Sequence, residues 1–462
     1  MENAATKLDP TLVRIALVLV LGMAAPALDA TIVNVAIQTI TAELNTDISV
    51  AQWLTTSYVL VLGIAVPLSA WLVNRFPAKK VYLASIGIFF AGSAGAMFTW
   101  NMESLIAFRV LQGIGAGILM PVMQTILVRY SGGQKLGRLM AIISIPAAVI
   151  PILGPTAGGL IVHYLPWRWI FAINIPICIA SFIFLAKILP PAEAADKEQR
   201  LDLIGLILLA SAFCTLIFGI SGLRGDNTCA AAVKISAGIV LLLVYCVYVL
   251  LGKQAPLLDV RLFKRRNFSA STALLFVFGM VSTGTLFVLP LFFQQVYGTT
   301  AFVAGMLLAP QGIGMLLTRS TAGKLVERVG AKSVAITGVL LILLGTIPLA
   351  FLENGANIIW PALALLVRGG GIGVMSIAIM VAIYDGLDAK EAAQGTTAMR
   401  IFQQIGGAFG TALFAIILSH GLASPGNAHV SLAFAAVFWW SAGFAAVCAI
   451  PAICLNGKKA EV

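Results

Sequence analysis

The chain has 462 residues, of which 60% are hydrophobic and 10% are charged, and its formal net charge is +11. Soluble globular domains carry about 25% charged residues, so this composition excludes a water-soluble globular protein. The positive charge does not indicate nucleic-acid binding, because the basic residues fall in short stretches between long apolar runs and form no basic face on a soluble fold. We expect a polytopic membrane protein.

Long apolar runs predict an all-α fold of fourteen transmembrane helices, since about 20 residues cross a bilayer as a helix. The first run is too long for the apolar core of a signal peptide and is expected to remain in the protein. The predicted helices lie near 12–40, 48–72, 80–100, 102–126, 137–163, 168–189, 202–222, 230–252, 268–294, 301–322, 331–352, 357–383, 393–419 and 432–455.

The distribution of basic residues predicts the orientation of these helices. If the N-terminus is cytoplasmic, most of the 29 Lys and Arg residues lie in cytoplasmic segments, and the outer loops hold only Arg168, Arg224 and Lys234. Cytoplasmic loops of membrane proteins are enriched in Lys and Arg. We therefore expect both termini in the cytoplasm.

An internal repeat divides the chain. Residues 72–80, after the second predicted helix, match residues 325–333, after the tenth, at five of nine positions. A weaker match pairs Arg109 and the glycines that follow it with Arg368 and the glycines that follow that residue. We expect a six-helix bundle over 1–190, a linker and two-helix insert with a basic connector over 191–266, and a second six-helix bundle over 267–462.

Asp29 is the one clearly deep acid among the predicted helices. Helix rise places it roughly 9 Å below the outer face, and Arg109 about 10 Å below the same face, so the two can pair. An intramembrane acid indicates an ion or substrate pathway. Burial disfavours its ionised form and a nearby cation favours it, which suits a proton-coupling site. The alternative is a static ion pair that sets helix packing.

Five segments carry a resemblance to a known family. They are Leu28 to Ala36, Gln52-Trp53 with Tyr58, Arg109 to Gly115, Gly154 to Gly159, and Trp167 to Pro176. In this order and at this spacing they resemble the fourteen-helix drug/proton antiporter branch of the major facilitator superfamily. The resemblance implies proton-coupled export of lipophilic, cationic or neutral drugs by alternating access, in a bacterial cytoplasmic (inner) membrane. It implies no cofactor besides the proton.

The resemblance also assigns roles to two groups of residues. Gly154, Pro155, Gly158 and Gly159 match the family's antiporter motif, associated with export; a packing kink is the alternative. Loop residues matching the family's cytoplasmic gate are Asn74, Arg75, Lys79, Glu327, Arg328 and Lys332. Asn74 departs from the family pattern, which has an acid there, so the resemblance assigns no acidic latch to that side of the gate.

Candidates for lining a substrate cavity are mainly aromatic, with two amides. They are Trp53, Tyr58, Gln112, Phe287, Phe292, Phe293 and Gln294. Aromatic residues at helix ends also serve as interfacial anchors, which is the alternative for each ring. The sequence suggests no acidic partner for Arg368.

No catalytic or metal-binding constellation occurs, and no G-x-x-x-x-G-K-[ST] loop for ATP, so we expect neither an enzyme nor an ATP-driven pump. Two rival functions stay open: export of a dedicated metabolite or lipid, and a channel or non-transporting receptor. We expect a monomer in the lipid bilayer that binds a lipophilic small molecule and no nucleic acid. A periplasmic adaptor protein is an open alternative.

Overall fold

The computed structural model describes residues 10–131, 150, 153–189, 202–222, 228–252, 256, 258–352, 357–385, 389–422 and 428–456. Within these ranges the chain is helical, joined by short turns, and contains no strand. Helices satisfy every backbone polar group inside the segment, which is what a span through hydrocarbon requires.

The helices of the first half and the insert follow the predicted order. They are α1 Pro10–Glu43; α2, made of Ile48–Ala51 and Trp53–Arg75; α3 Ala78–Met97; α4 Met102–Ser131; α5 153–164; α6, made of Trp169–Ala172 and Asn174–Ile188; α7 Leu203–Ser221; and α8 Thr228–Leu251. A short 3-10 helix, Val260–Lys264, leads into the second half.

The second half contains six more helical segments. They are α9 Arg266–Gln295; α10, made of Ala301–Leu307 and 309–329; α11 331–346; α12 Ile359–Tyr384; α13 Ala389–Leu422; and α14, made of Ala428–Val447 and Ala449–Ile453. Helix Ala309–Thr346 divides at Gly330, whose φ of 84° and ψ of 159° are not helical. Glycine adopts this left-handed φ readily, so the break between α10 and α11 falls on it.

Thirteen helices in the described residues are long and apolar enough to cross a membrane. The other predicted helix, 137–163, is represented by α5, because most of its first part lies outside the described residues. The prediction of an all-α, multi-pass membrane protein is confirmed. The division into 1–190, 191–266 and 267–462 stays a prediction.

Helix contacts show how the two predicted bundles and the insert pack together. Helices α2, α3 and α4 pack together in the first half, and α9 packs on α13 and α10 with α11 on α12 in the second. Contacts between the bundles run from α1 to α9 and from α2 to α13. Helix α7 lies beside both α2 and α13, and α8 packs chiefly on α7. The insert therefore lies along the seam between the bundles.

Candidate functional site

Asp29 of α1 and Arg109 of α4 form an ion pair in the interior of the first bundle. Arg109 Nη1 donates to Asp29 Oδ2, and the two side chains are 1% and 0% exposed. The matched depth expected from helix rise is therefore accompanied by direct contact. Pairing offsets part of the free energy that each charge loses on leaving water.

Three neutral side chains complete the surroundings of the Asp29 carboxylate. Asn174 Nδ2 of α6 donates to Asp29 Oδ1 over 2.8 Å, and Gln112 Nε2 of α4 donates to the same oxygen over 3.3 Å. Ser93 Oγ of α3 accepts from Gln112 Nε2 at 2.8 Å and from Asn174 Nδ2 at 3.3 Å. Both oxygens of the acid are thus held by donors from α4 and α6.

The Arg109 guanidinium has three further contacts besides Asp29. Its Nε donates to the backbone carbonyl of Leu54 over 2.9 Å, and its Nη1 donates to Gln112 Oε1 over 2.9 Å. Arg109 Cζ lies 4.1 Å from the centre of the Tyr58 ring, in the cation–π arrangement. The Tyr58 hydroxyl donates to the carbonyl of Pro26 over 3.1 Å. Helix α2 therefore supports Arg109 by a carbonyl and a ring.

Sequence reasoning assigned no role to Asn174 or Ser93. Asn174 lies in the quoted Trp167-to-Pro176 segment, and its being a buried amide at the start of a transmembrane helix was a usable signal. Ser93 carries no such signal, because a lone serine in an apolar helix usually bonds to its own backbone.

The glycines of α5 lie against two different neighbours. A Cβ on Gly154 or Gly158 would meet Thr31 Oγ1 at 2.0 Å or Ile32 Cγ1 at 2.7 Å, both in α1 of the same bundle. A Cβ on Gly159 would instead meet the carbonyl oxygen of Ala301 at 2.4 Å, in α10 of the other bundle.

Helix α10 approaches α5 by a glycine of its own. A Cβ on Gly305 would meet the carbonyl oxygen of Pro155 at 2.1 Å. We call the end of the bundle that carries Glu43 and Thr300 the outer end, following the predicted orientation. The α5–α10 contact closes the two bundles against each other at this end, and it depends on both glycines.

Two cavities lie between the bundles. Cavity A, about 200 Å³, is lined among others by Thr31, Pro155, Ser282, Thr283, Leu286 and Gln311. Cavity B, about 240 Å³, is lined among others by Met23, Tyr58, Met120, Met123, Arg400 and Gln404. Each takes residues from both halves and is mainly apolar with a few polar groups, as small-molecule sites are.

The other predicted cavity residues lie outside these two cavities. Phe287, Phe292 and Phe293 are 0–1% exposed within an aromatic core near the outer end. Trp53 stacks on Phe218 of α7 with ring centres 4.5 Å apart. The three phenylalanine rings of α9 therefore pack in the core, and the Trp53 ring of α2 packs against the insert.

The two predicted amides contact backbone or buried side chains. Gln294 Nε2 donates to the carbonyl of Val35 over 3.2 Å, which ties α9 to α1 near the outer end. Gln112 belongs to the Asp29 network described above. Of the candidates, Tyr58 therefore lines a described cavity, and Gln112 contacts the Asp29–Arg109 pair.

The predicted gating loops make few contacts across the bundles in the described residues. Lys79 Nζ donates to the carbonyls of Ala186 and Leu189 at the end of α6. Arg75 and Arg328 are exposed, and Lys332 is half-buried. The side chains of Asn74 and Glu327 lie outside what the structure describes, so their predicted roles stay predictions.

Arg368 of α12 is a second fully buried arginine. Its Nη1 donates to Gln311 Oε1 of α10 over 2.6 Å, and its Nη2 donates to the carbonyl of Val281 of α9 over 2.9 Å. Its Nε has no hydrogen-bond partner. In the part of the chain that the structure describes, no carboxylate lies within ion-pair distance of it.

Known proteins resemble the chain along most of its length. Residues 19–411 match the Major Facilitator Superfamily. A relative from Mycobacterium tuberculosis (strain ATCC 25618 / H37Rv), named multidrug resistance protein B homolog, is 32% identical over 90% of this chain and 77% of its own. The lincomycin resistance protein LmrB of Bacillus subtilis (strain 168) is 30% identical over 85% of this chain and 82% of its own.

Solved transporter structures share the fold at low sequence identity. The crystal structure of a bacterial homologue of the human lysosomal transporter Spinster has a TM-score of 0.68 at 13% identity, over 97% of each chain. The D-xylose–proton symporter has a TM-score of 0.67 at 16% identity, over 95% of this chain and 96% of its own. Sequence and fold together place the chain, a transporter and not an enzyme, in the Major Facilitator Superfamily.

Proposed function

We propose that the chain is a proton-coupled antiporter that exports lipophilic, cationic or neutral compounds across the bacterial cytoplasmic membrane. The observation that carries this proposal is the fully buried Asp29 carboxylate, paired with Arg109 and bonded by Asn174 and Gln112. Ionisable residues inside membrane segments mark proton and substrate pathways. The names of the mycobacterial and bacillary relatives support drugs as the exported compounds.

The coupling follows from how a carboxylate responds to its surroundings. A cation and amide donors beside a carboxylate favour its charged form in general, and loss of the cation in a dry site favours its neutral form, so separation of the two side chains could couple a proton to transport. The separation requires α1, which carries Asp29 and packs on α9 of the second bundle, to move relative to α4 within its own bundle as the two bundles rock. One conformation then releases the proton and the other takes it up.

Alternating access needs an end that closes and reopens. The α5–α10 contact through Gly159 and Gly305 closes the outer end in the present conformation. Cavities A and B lie between the same bundles and would receive the exported compound. Export then requires this contact to part after the compound has bound.

The test is transport by purified protein in liposomes. Ethidium movement driven by an imposed proton gradient is measured for wild type, Asp29→Asn and a control, Glu103→Gln, which changes an exposed acid at the start of α4. We expect gradient-driven transport to fall at least about tenfold in Asp29→Asn, equivalent to roughly 1.4 kcal/mol, and to persist in the control. Exchange of ethidium for ethidium, which needs no proton step, should survive.

Two results would overturn the proposal. If Asp29→Asn transports ethidium under the gradient at the wild-type rate, Asp29 does not carry the proton and serves only in helix packing. Passive, gradient-insensitive flux through the wild-type protein would indicate a channel. A protein that carries a dedicated lipid or metabolite would move that compound under the gradient and leave ethidium in place.

A further inference from the structure

Arg368 is buried beside neutral acceptors in the described residues, whereas Arg109 is paired with a carboxylate. Both arginines lie in the interior of corresponding helices, α4 and α12, and both bond a glutamine oxygen and a backbone carbonyl. Arg109 additionally has the Asp29 carboxylate. At the corresponding place Arg368 has only the neutral Gln311 and Val281 carbonyl among its described contacts.

Packing alone does not account for Arg368. A buried cation without an acid loses hydration that neutral acceptors restore only in part, whereas an apolar residue of similar size would fill the same space without that loss. Its Nε also remains without a partner. Most buried polar atoms are hydrogen-bonded, so this unpaired nitrogen adds to the unfavourable free energy of burying Arg368.

Gln311 connects this charge to cavity A. Its Oε1 accepts from Arg368 Nη1 at 2.6 Å, and its side chain lines the cavity. Because Oε1 is bonded to Arg368, Nε2 is the donor that Gln311 retains for a ligand in the cavity. A hydrogen bond accepted from a cation polarises the amide and strengthens the donor at its other end.

The rest of the lining of cavity A near Gln311 suits a polar head with an apolar body. Ser282 and Thr283 supply hydroxyls from α9, and Leu286 and Met315 supply apolar surface. No carboxylate is among the lining residues. The cavity therefore presents donors beside a positive charge and offers a cation nothing to pair with.

We propose that Gln311, positioned and polarised by Arg368, is a substrate subsite in cavity A that binds an electron-rich oxygen, either a carboxylate or a carbonyl. The substrate oxygen would accept from Gln311, and Gln311 in turn accepts from the buried Arg368. In this proposal Gln311 makes the contact, and Arg368 acts through it. The subsite rests on the proposed function in that the bound molecule is the transported one. It narrows that function to compounds that carry a carbonyl, or a carboxylate balanced by a positive charge elsewhere in the molecule.

Equilibrium binding to the full-length protein in nanodiscs, with no proton gradient, tests the subsite. The probes share one fluorescent ring and differ in the head group: 1-pyrenebutyrate, its methyl ester, and the trimethylammonium analogue. The variants are Arg368→Gln, Gln311→Leu and Arg368→Lys. Arg266→Gln removes an exposed arginine at the start of α9, and Gln295→Leu removes an amide from the other end of that helix, outside both cavities.

We expect Arg368→Gln to raise the Kd for pyrenebutyrate at least tenfold and the Kd for the ester about threefold, leaving the cationic probe unchanged or more tightly bound. Gln311→Leu should weaken binding of both oxygen-bearing probes. Arg368→Lys, which keeps the charge, should recover part of the preference for carboxylate over ester. That preference is a ratio, so a general loss of folded protein does not alter it. The two control variants should bind as wild type does.

The subsite is refuted if folded Arg368→Gln keeps the wild-type affinities of both oxygen-bearing probes relative to the trimethylammonium analogue, or if wild type binds neither oxygen-bearing probe. A larger effect on the carboxylate than on the ester identifies an anion subsite; equal effects identify a carbonyl subsite. Since no gradient is applied, loss of proton coupling in Asp29→Asn leaves this result unaffected. Failure of antiport and failure of the subsite are therefore separate outcomes.

Discussion

Asn174 and Arg109 hold the two oxygens of one carboxylate from opposite helices. Asn174 Nδ2 of α6 lies 2.8 Å from Asp29 Oδ1, and Arg109 of α4 donates to Oδ2. Oδ1 accepts a second hydrogen bond, from Gln112, and Oδ2 is held by the Arg109 guanidinium. The proposed proton site is therefore a junction of three helices, and moving α6 or α4 relative to α1 changes the bonding of the acid.

Replacing Asn174 tests this junction. Asn174→Leu removes a donor from Asp29 and leaves Ser93 with one donor fewer, so we expect it to destabilise the protein by about 1–3 kcal/mol and to slow gradient-driven transport. Asn174→Asp places a second acid beside Asp29 and should impair transport more. Thermal unfolding in detergent and the liposome assay measure the two effects. Normal transport by Asn174→Asp would show that α6 does not contribute to the site.

A double-mutant cycle separates the proton site from a static ion pair. Arg109→Gln leaves Asp29 buried without its cation and should destabilise by about 3–5 kcal/mol. Adding Asp29→Asn removes the unpaired charge, so the double variant should be more stable than Arg109→Gln alone. If Asp29 carries the proton, the double variant regains stability but not gradient-driven transport.

The same cycle has a clear opposite outcome. A double variant that regains both stability and gradient-driven transport would mean that the pair only sets helix packing. Unfolding in SDS titrations gives the free energies, and the liposome assay gives the rates.

The sequence was sufficient for the helices and for matching Asp29 with Arg109. Apolar length locates each span, and helix rise converts position along a helix into depth, so Asp29 and Arg109 could be matched before any contact was known. The predicted tenth helix ended near residue 322, whereas α10 continues to 329 and the break falls on the non-helical Gly330; the start of α11 near 331 matches the prediction.

The sequence did not predict how each helix is rotated about its own axis, and therefore which neighbour each side chain contacts. In hydropathy Phe292 looks the same whether it faces a cavity or a core, and Ser93 looks the same whether it bonds its own helix or Asn174. The neutral partner of Arg368 was missed for a related reason: a search for an acid does not find Gln311. These contacts depend on how neighbouring helices pack, which a single chain pattern does not encode.

Phe292 is expected to act in stability and not in substrate choice. Its ring contacts Phe293, Tyr297, Phe434 and Phe438, with ring centres 5.0–5.6 Å apart. Phe292→Ala should destabilise by about 3–5 kcal/mol through the cavity left in this cluster. The order of preference among transported dyes should not change in protein that remains folded. A changed order of dye preference would show that Phe292 contacts the substrate.

Trp53 is expected to hold the insert in place. Its ring stacks on Phe218 of α7 at 4.5 Å, so Trp53→Ala should loosen the contact of α7 with α2 and lower stability by about 1 kcal/mol. Phe218→Ala should have a similar effect, and the two changes together should be less than additive. Thermal unfolding measures all three. Additive losses of stability would show that Trp53 and Phe218 do not stabilise the protein through their contact with each other.

Closure of the outer end depends on the absence of a side chain at Gly159. Gly159→Val would place its Cβ 2.4 Å from the Ala301 carbonyl oxygen and 2.6 Å from Phe302 Cα, both backbone-linked atoms that cannot rotate away. We expect α5 and α10 to separate, which favours the outward-open conformation and reduces transport at least about tenfold. Gly158→Val is the matched control, because its side chain would meet Ile32 within the first bundle.

Spin labels at Val162→Cys and Thr299→Cys, in a background lacking the six native cysteines, report the separation directly. Gly159→Val should move the measured distance distribution to longer values, whereas Gly158→Val should leave it at the wild-type position even if it lowers stability. A wild-type distribution in Gly159→Val would mean that α10 yields to the added side chain. The glycine would then be a packing residue without a part in closing the outer end.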